Sequence, residues 1–93
     1  MRYNITLSIE AEDDILNAYQ WYEQQRTGLG GEFTMALENS FSFIQSSPET
    51  YGFRRNNVRG CLIKRFPYLV LFFIEEGNIR VISVFHTHRN PVV

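Results

Sequence analysis

The stretch that decides the fold runs from Val58 to Pro91: V-R-G-C-L-I-K-R-F-P-Y-L-V-L-F-F-I-E-E-G-N-I-R-V-I-S-V-F-H-T-H-R-N-P. Two runs rich in apolar, β-branched and aromatic residues flank Glu75-Glu76-Gly77-Asn78. Such runs favour strands, and a short glycine-containing turn between them predicts a hairpin. Tyr68 to Ile74 is nearly all apolar, the pattern of a central strand covered on both faces. Ile79, Val81, Ser83 and Phe85 then alternate with Arg80, Ile82, Val84 and His86. Upstream, Cys61 to Phe66 is predicted as the preceding strand, closed or bulged at Pro67. Phe53 to Val58 reads as a ragged, polar strand at or near an edge.

The first half of the chain changes period. Tyr3, Ile5, Leu7 and Ile9 alternate with polar residues, which predicts a short strand over Arg2 to Ile9. Ser8 is placed to cap a helix running from about Ile9 to Arg26, with Glu10, Glu12, Asp13 and Asp14 near its positive end. Ala11, Ile15, Ala18, Tyr19 and Tyr22 form one apolar stripe. Trp21 falls off that stripe, either as a docking point for a partner or as a residue covered by its neighbours. Gly28, Gly30 and Gly31 mark a turn between helices. No strand precedes them and no Gly-Lys-Ser/Thr follows, so a phosphate loop is not indicated. A second helix is predicted from about Gly31 to Ser46, with Phe33, Leu37, Ser40 and Ile44 on one face and Ala36 and Phe41 beside them. Ser46-Ser47-Pro48 ends it, and Pro48 to Gly52 is a loop. The order β-α-α-β-β-β gives an α+β fold, an αα-hairpin packed on a mostly antiparallel, twisted sheet.

Residues 1–93 form one domain with a single core. Hydrophobic residues make up 44% and aromatics 15%, too many for a disordered chain. Cys61 is the only cysteine and has no intrachain partner, which suits a reducing compartment. There is no signal-peptide pattern and no apolar run of membrane-spanning length. These features point to a soluble, cytoplasmic protein.

The net charge of −1 conceals an asymmetry. Residues 1–50 carry eight acids and two bases, a balance of −6, whereas residues 51–93 carry seven bases and two acids, a balance of +5. Either a partner of one sign faces the second half, or acidic helices neutralise a basic sheet internally.

Arg65-Phe66-Pro67-Tyr68 before an apolar strand, then Val84-Phe85-His86-Thr87-His88-Arg89-Asn90-Pro91, resemble the RelE/ParE superfamily of bacterial type II toxins. Ser8-x-x-Ala11 with Asp14, and Ser47-Pro48 before a glycine loop, fit the same pattern. The resemblance covers nearly the whole chain. It implies a growth-inhibiting toxin of a toxin–antitoxin module, of the kind linked to plasmid stabilisation, and a cognate antitoxin that covers and neutralises it. It implies one of two targets. The RelE-like branch cuts mRNA on the ribosome, and the ParE-like branch blocks DNA gyrase.

Metal-independent RNA cleavage needs proton transfer and cations for the charged transition state. His86 and His88, two apart, share a face on a continuing strand. Arg59 and Arg65 share a face if their strand is regular, and Lys64 points the other way. Those five are the candidate catalytic residues of a nuclease. For His86 the structural alternative is a cap on the last strand; for Arg65, an ion pair with an acidic helix residue; for Arg89, a solvated tail. Lys64 is the only lysine and no tyrosine follows Tyr68, departures from the RelE type. The ending His-x-x-Arg-x-Pro also occurs in the ParE-like branch. The ParE-like reading is therefore favoured, with Trp21, Arg65, Tyr68 and Arg89 as candidate binding residues. The alternatives are a ribosome-dependent mRNA endonuclease and an inactive homologue that retains only antitoxin binding. No metal or other cofactor is expected, since no third ligand is spaced to join the histidines. The charge split predicts an acidic, apolar antitoxin segment lying over the basic sheet.

Overall fold

The computed structural model describes residues 2–88. Arg89 and the rest of the ending Arg89-Asn90-Pro91 lie outside the described residues. Strand β1 spans Asn4–Leu7, helices α1 and α2 span Ile9–Gln25 and Leu29–Ser46, and strands β2 to β5 span Phe53–Arg55, Val58–Leu62, Tyr68–Glu75 and Asn78–His86. The sheet order is β1-β5-β4-β3-β2, with β1 parallel to β5 and the other pairs antiparallel. Both helices pack on one face, as the element order predicts. Among the described residues no helix is long and apolar enough to cross a membrane.

Helix α1 starts where the sequence places it. Ser8 is extended at φ −70° and ψ 164°, and its Oγ accepts from the Ala11 N–H at 3.0 Å. The same hydroxyl donates to the Ile82 carbonyl at 3.2 Å, and the Ser8 N–H donates to Val81 O at 2.9 Å. One turn on, Asp14 Oδ2 accepts from the Val84 N–H at 3.0 Å and the Ser83 hydroxyl at 3.3 Å. These bonds close the edge of β5 beyond the end of β1, where backbone groups would otherwise be left unpaired. Ala11 and Ala18 are fully or nearly buried, so small side chains let α1 lie close over β5.

Helix α2 begins two residues before the expected Gly31. Its start is capped from the other helix: Glu23 accepts from the Gly28 and Gly30 N–H groups, each at 2.9 Å. A carboxylate there satisfies orphan donors and complements the helix dipole. Gly28 takes φ +93°, which closes the turn. Gly30 lies inside the helix, where a Cβ would come within 2.7 Å of the Tyr19 ring. The predicted stripe of Phe33, Leu37, Ser40 and Ile44 is buried.

Two strand expectations need correction. The strand predicted over Cys61–Phe66 is Val58–Leu62, and Ile63–Pro67 form a connection. There Ile63 N–H donates to Tyr68 O, Tyr68 N–H donates to Phe66 O, and Arg65 takes φ +76°. Proline at 67 has no N–H for a ladder. The simple alternation of β5 also breaks. Leu71 pairs with Ser83 but Phe72 with Val81, leaving Ile82 as a bulge. Ile79, Val81, Val84 and His86 therefore face the helices. Cross-strand partners Tyr68, Val70, Phe72 and Ile74 do the same.

β4 is not covered by helices on both faces. Its other side, with Leu69, Leu71 and Phe73, joins Phe85 on the open face of the sheet. Leu69 is still buried. At Gly60 a Cβ would sit 2.7 Å from Arg54 Nε and 3.2 Å from Leu69 Cδ1, so the bare glycine leaves room for Arg54 to lie across this face. Arg80, paired with Phe73, reaches Thr6 Oγ1 at 3.1 Å at the β1 side.

Candidate functional site

The five proposed catalytic residues differ in what engages them. Arg59 lies on β3 opposite Phe72, on the helix side. Its Nη1 donates to the carbonyls of Glu49 and Tyr51 at 3.2 and 2.8 Å, and its guanidinium stacks 4.0 Å over the Phe53 ring. That fork holds the loop after α2 against the edge strand. Arg65 does not share a strand face with Arg59, because it lies in the β3–β4 connection. It bonds Glu32 at 2.9 Å, the ion pair with an acidic helix residue that the sequence left open. Glu32 also holds Arg26 at 3.2 Å, and the two guanidiniums keep its carboxyl below the usual range. Lys64 is exposed, with no acidic partner among the described residues.

The histidines stand at the same end of the sheet as Arg65. His86 faces the helix side and packs edge-on against the buried Tyr68, with centroids 5.2 Å apart. Its Nδ1 accepts from the His88 N–H at 3.1 Å, so it does cap the end of the last strand. The rings of His86 and His88 lie 5.8 Å apart. Behind them Tyr22, Phe33, Phe66 and Tyr68 interlock with centroid distances of 5.0–6.1 Å. Tyr68 is thus a core residue and not a surface anchor. Trp21 stacks on Tyr22 at 6.3 Å and is 39% exposed, consistent with either a covered or a docking role. Among the described residues no group of three or more His, Cys, Asp or Glu is arranged to hold a metal ion.

A concavity lies elsewhere, between α2 and the strand β3 with the connection that follows. This groove has a volume of about 530 Å³. Met35, Ala36 and Phe43 line it from α2 and Leu62 from β3, and its charged groups are Lys64 and the paired Arg65 and Glu32. Cys61, Ser40 and Tyr51 also line it. Burial pushes the Cys61 thiol above its ordinary pKa, against smaller opposing pulls from the Tyr51 and Ser40 hydroxyls. Burial raises Tyr51 as well, with the thiol adding to the effect. Met35, Phe43 and Leu62 are 65%, 68% and 62% exposed, an unusual density of large apolar groups beside two cations. Sequence reading missed this groove. The available signal was that Met35 and Phe43 fall off the buried stripe of α2.

Internal neutralisation explains little of the charge asymmetry. Among the described residues, Arg65 is the only base of the second half that forms an ion pair with an acid of the first.

No protein-family model matches the chain, and no curated protein matches it. Among solved structures, a chain of the chromosomal ParDE TA system from P. aeruginosa superposes with a TM-score of 0.83 at 12% identity. The match covers 94% of this chain and 98% of that one. This is a ParDE-type fold. In the ParDE-type frame, the β-α-α-β-β-β order and the helix layer on one sheet face are the shared features, and at 12% identity side-chain roles are not carried across.

Proposed function

We propose that this chain is the toxin of a type II toxin–antitoxin module, neutralised by a cognate antitoxin, and that it inhibits DNA gyrase by binding. The observation that carries this reading is the ParDE-type fold, shared over 94% of the chain with a member of a ParDE toxin–antitoxin system. The engagement of two of the cations by protein groups supports binding over RNA cleavage. Arg59 is engaged by backbone carbonyls and Arg65 by Glu32, and His86 faces the helix layer. The site of action is the cytoplasm.

The antitoxin segment is acidic and apolar, and it lies over the open sheet face, where Leu71, Phe73 and Phe85 stand between Arg54 and Arg80. Its affinity falls with salt, because exposed charges are screened. A flat salt dependence counts against that placement.

The test is brief induction in bacteria, with and without whatever short open reading frame adjoins the gene. Reduced supercoiling, an induced DNA-damage response and intact transcripts are expected, all suppressed by co-expression of the neighbour. Codon-linked cuts in mRNA by primer extension would instead establish the endonuclease reading, with His86 or His88, Arg59, Lys64 and Arg65 as its residues. Unimpaired growth would leave an inactive homologue.

A further inference from the structure

We propose that the groove beside α2 receives helix α1 from a second copy of this chain. The inference goes beyond the toxin reading and does not rest on it. It starts from the exposed large apolar side chains. Among the described residues, apart from Phe53, which carries the Arg59 guanidinium, those more than half exposed fall into two groups: Ile9 and Leu16 on α1, and Met35, Phe43 and Leu62 around the groove.

The two groups match in length and charge. Ile9 and Leu16 lie seven residues apart, on one line of the helix, about 10 Å at the α-helical rise. Met35 and Phe43 lie about 12 Å apart along α2 by the same measure. Glu12 and Asp13 fall between Ile9 and Leu16 on that face, and neither has a basic partner among the described residues. Lys64, equally unpartnered, stands on the groove's rim with Arg65. An acidic helix face bearing two aliphatic knobs thus meets an apolar groove whose Arg65 is paired with Glu32 and whose Lys64 is the cation left to receive it.

The contact is heterologous, because the knob and the groove are different surfaces of one chain. Each copy presents both, so association continues beyond the pair until it closes into a ring or grows as a chain.

Sedimentation velocity on the full chain over about two decades of concentration tests this, since a reversible assembly must grow with concentration. The average mass is expected to rise with concentration. Leu16→Glu blocks the knob and Leu62→Glu blocks the groove, and each alone is expected to give a monomer. Mixed in equal amounts, they are expected to form one-to-one dimers and nothing larger, because one intact knob then meets one intact groove. A wild-type chain that stays monomeric throughout overturns the proposal. So does a Leu16→Glu or Leu62→Glu variant that still self-associates, or a mixture that remains monomeric while both variants keep native circular dichroism. If either variant loses that signature, Ile9→Lys and Lys64→Glu repeat the test with changes at exposed positions.

Discussion

Asp14 shows how much one carboxylate decides at this size. It ties the first helix to the last strand by accepting the Val84 N–H, a donor on a residue that is 1% exposed. Asp14→Ala leaves that donor without a partner and should cost about 1–3 kcal/mol in urea unfolding. Asp14→Asn retains an acceptor oxygen and should cost less. Glu32 gives a pH prediction. Its carboxyl is held below the ordinary value by Arg65 and then Arg26, so its contribution is present above the unfolded-state pKa and is lost as pH falls through the lower folded-state value. Unfolding midpoints measured through the acid range should fall less steeply for Glu32→Gln than for wild type. Cys61 is buried with a raised pKa, so little thiolate is available. A thiol reagent should label it slowly in the native chain and rapidly in denaturant.

At the level of elements, the helices were legible in the sequence because a 3.6-residue apolar stripe is itself a record of burial. Ser8, Ala11 and Ala18 do what that pattern says. The strands were less legible. Leu62 and Ile63 continue the apolar character of β3, and nothing local stops the strand before Lys64. What stops it is the left-handed backbone at Arg65 together with the turn into Pro67. The bulge at Ile82 was equally hidden, because Ile82 and Val84 are both β-branched and either could face inward. That single extra residue puts His86 on the helix side, the same face as Ile79 and Val81. The connection yields its own prediction. Arg65→Gly and Arg65→Ala both lose the Glu32 bridge, but only alanine keeps the cost of φ +76°. The glycine variant should be the more stable of the two by about 1 kcal/mol in thermal or chemical unfolding.

For the whole molecule, one aromatic cluster joins the hairpin to the sheet. Phe33 is fully buried and touches Tyr22, Phe66 and Tyr68. Phe33→Ala should cost about 3–5 kcal/mol, a large share of the 5–15 kcal/mol typical of small domains. Its denaturant midpoint should fall accordingly, with near-ultraviolet dichroism lost first. The charge split was readable from composition, but its destination was not, because the bases of β3 and its connection turn toward the helices and their loops.

The parallel pairing of β1 with β5 has a temporal consequence. Thr6 meets Arg80 across a sequence separation of 74 residues. A ribosome therefore makes the opening strand long before the only neighbour that can hold it in the sheet. The nascent polypeptide cannot complete its sheet until the β4–β5 hairpin has cleared the exit tunnel.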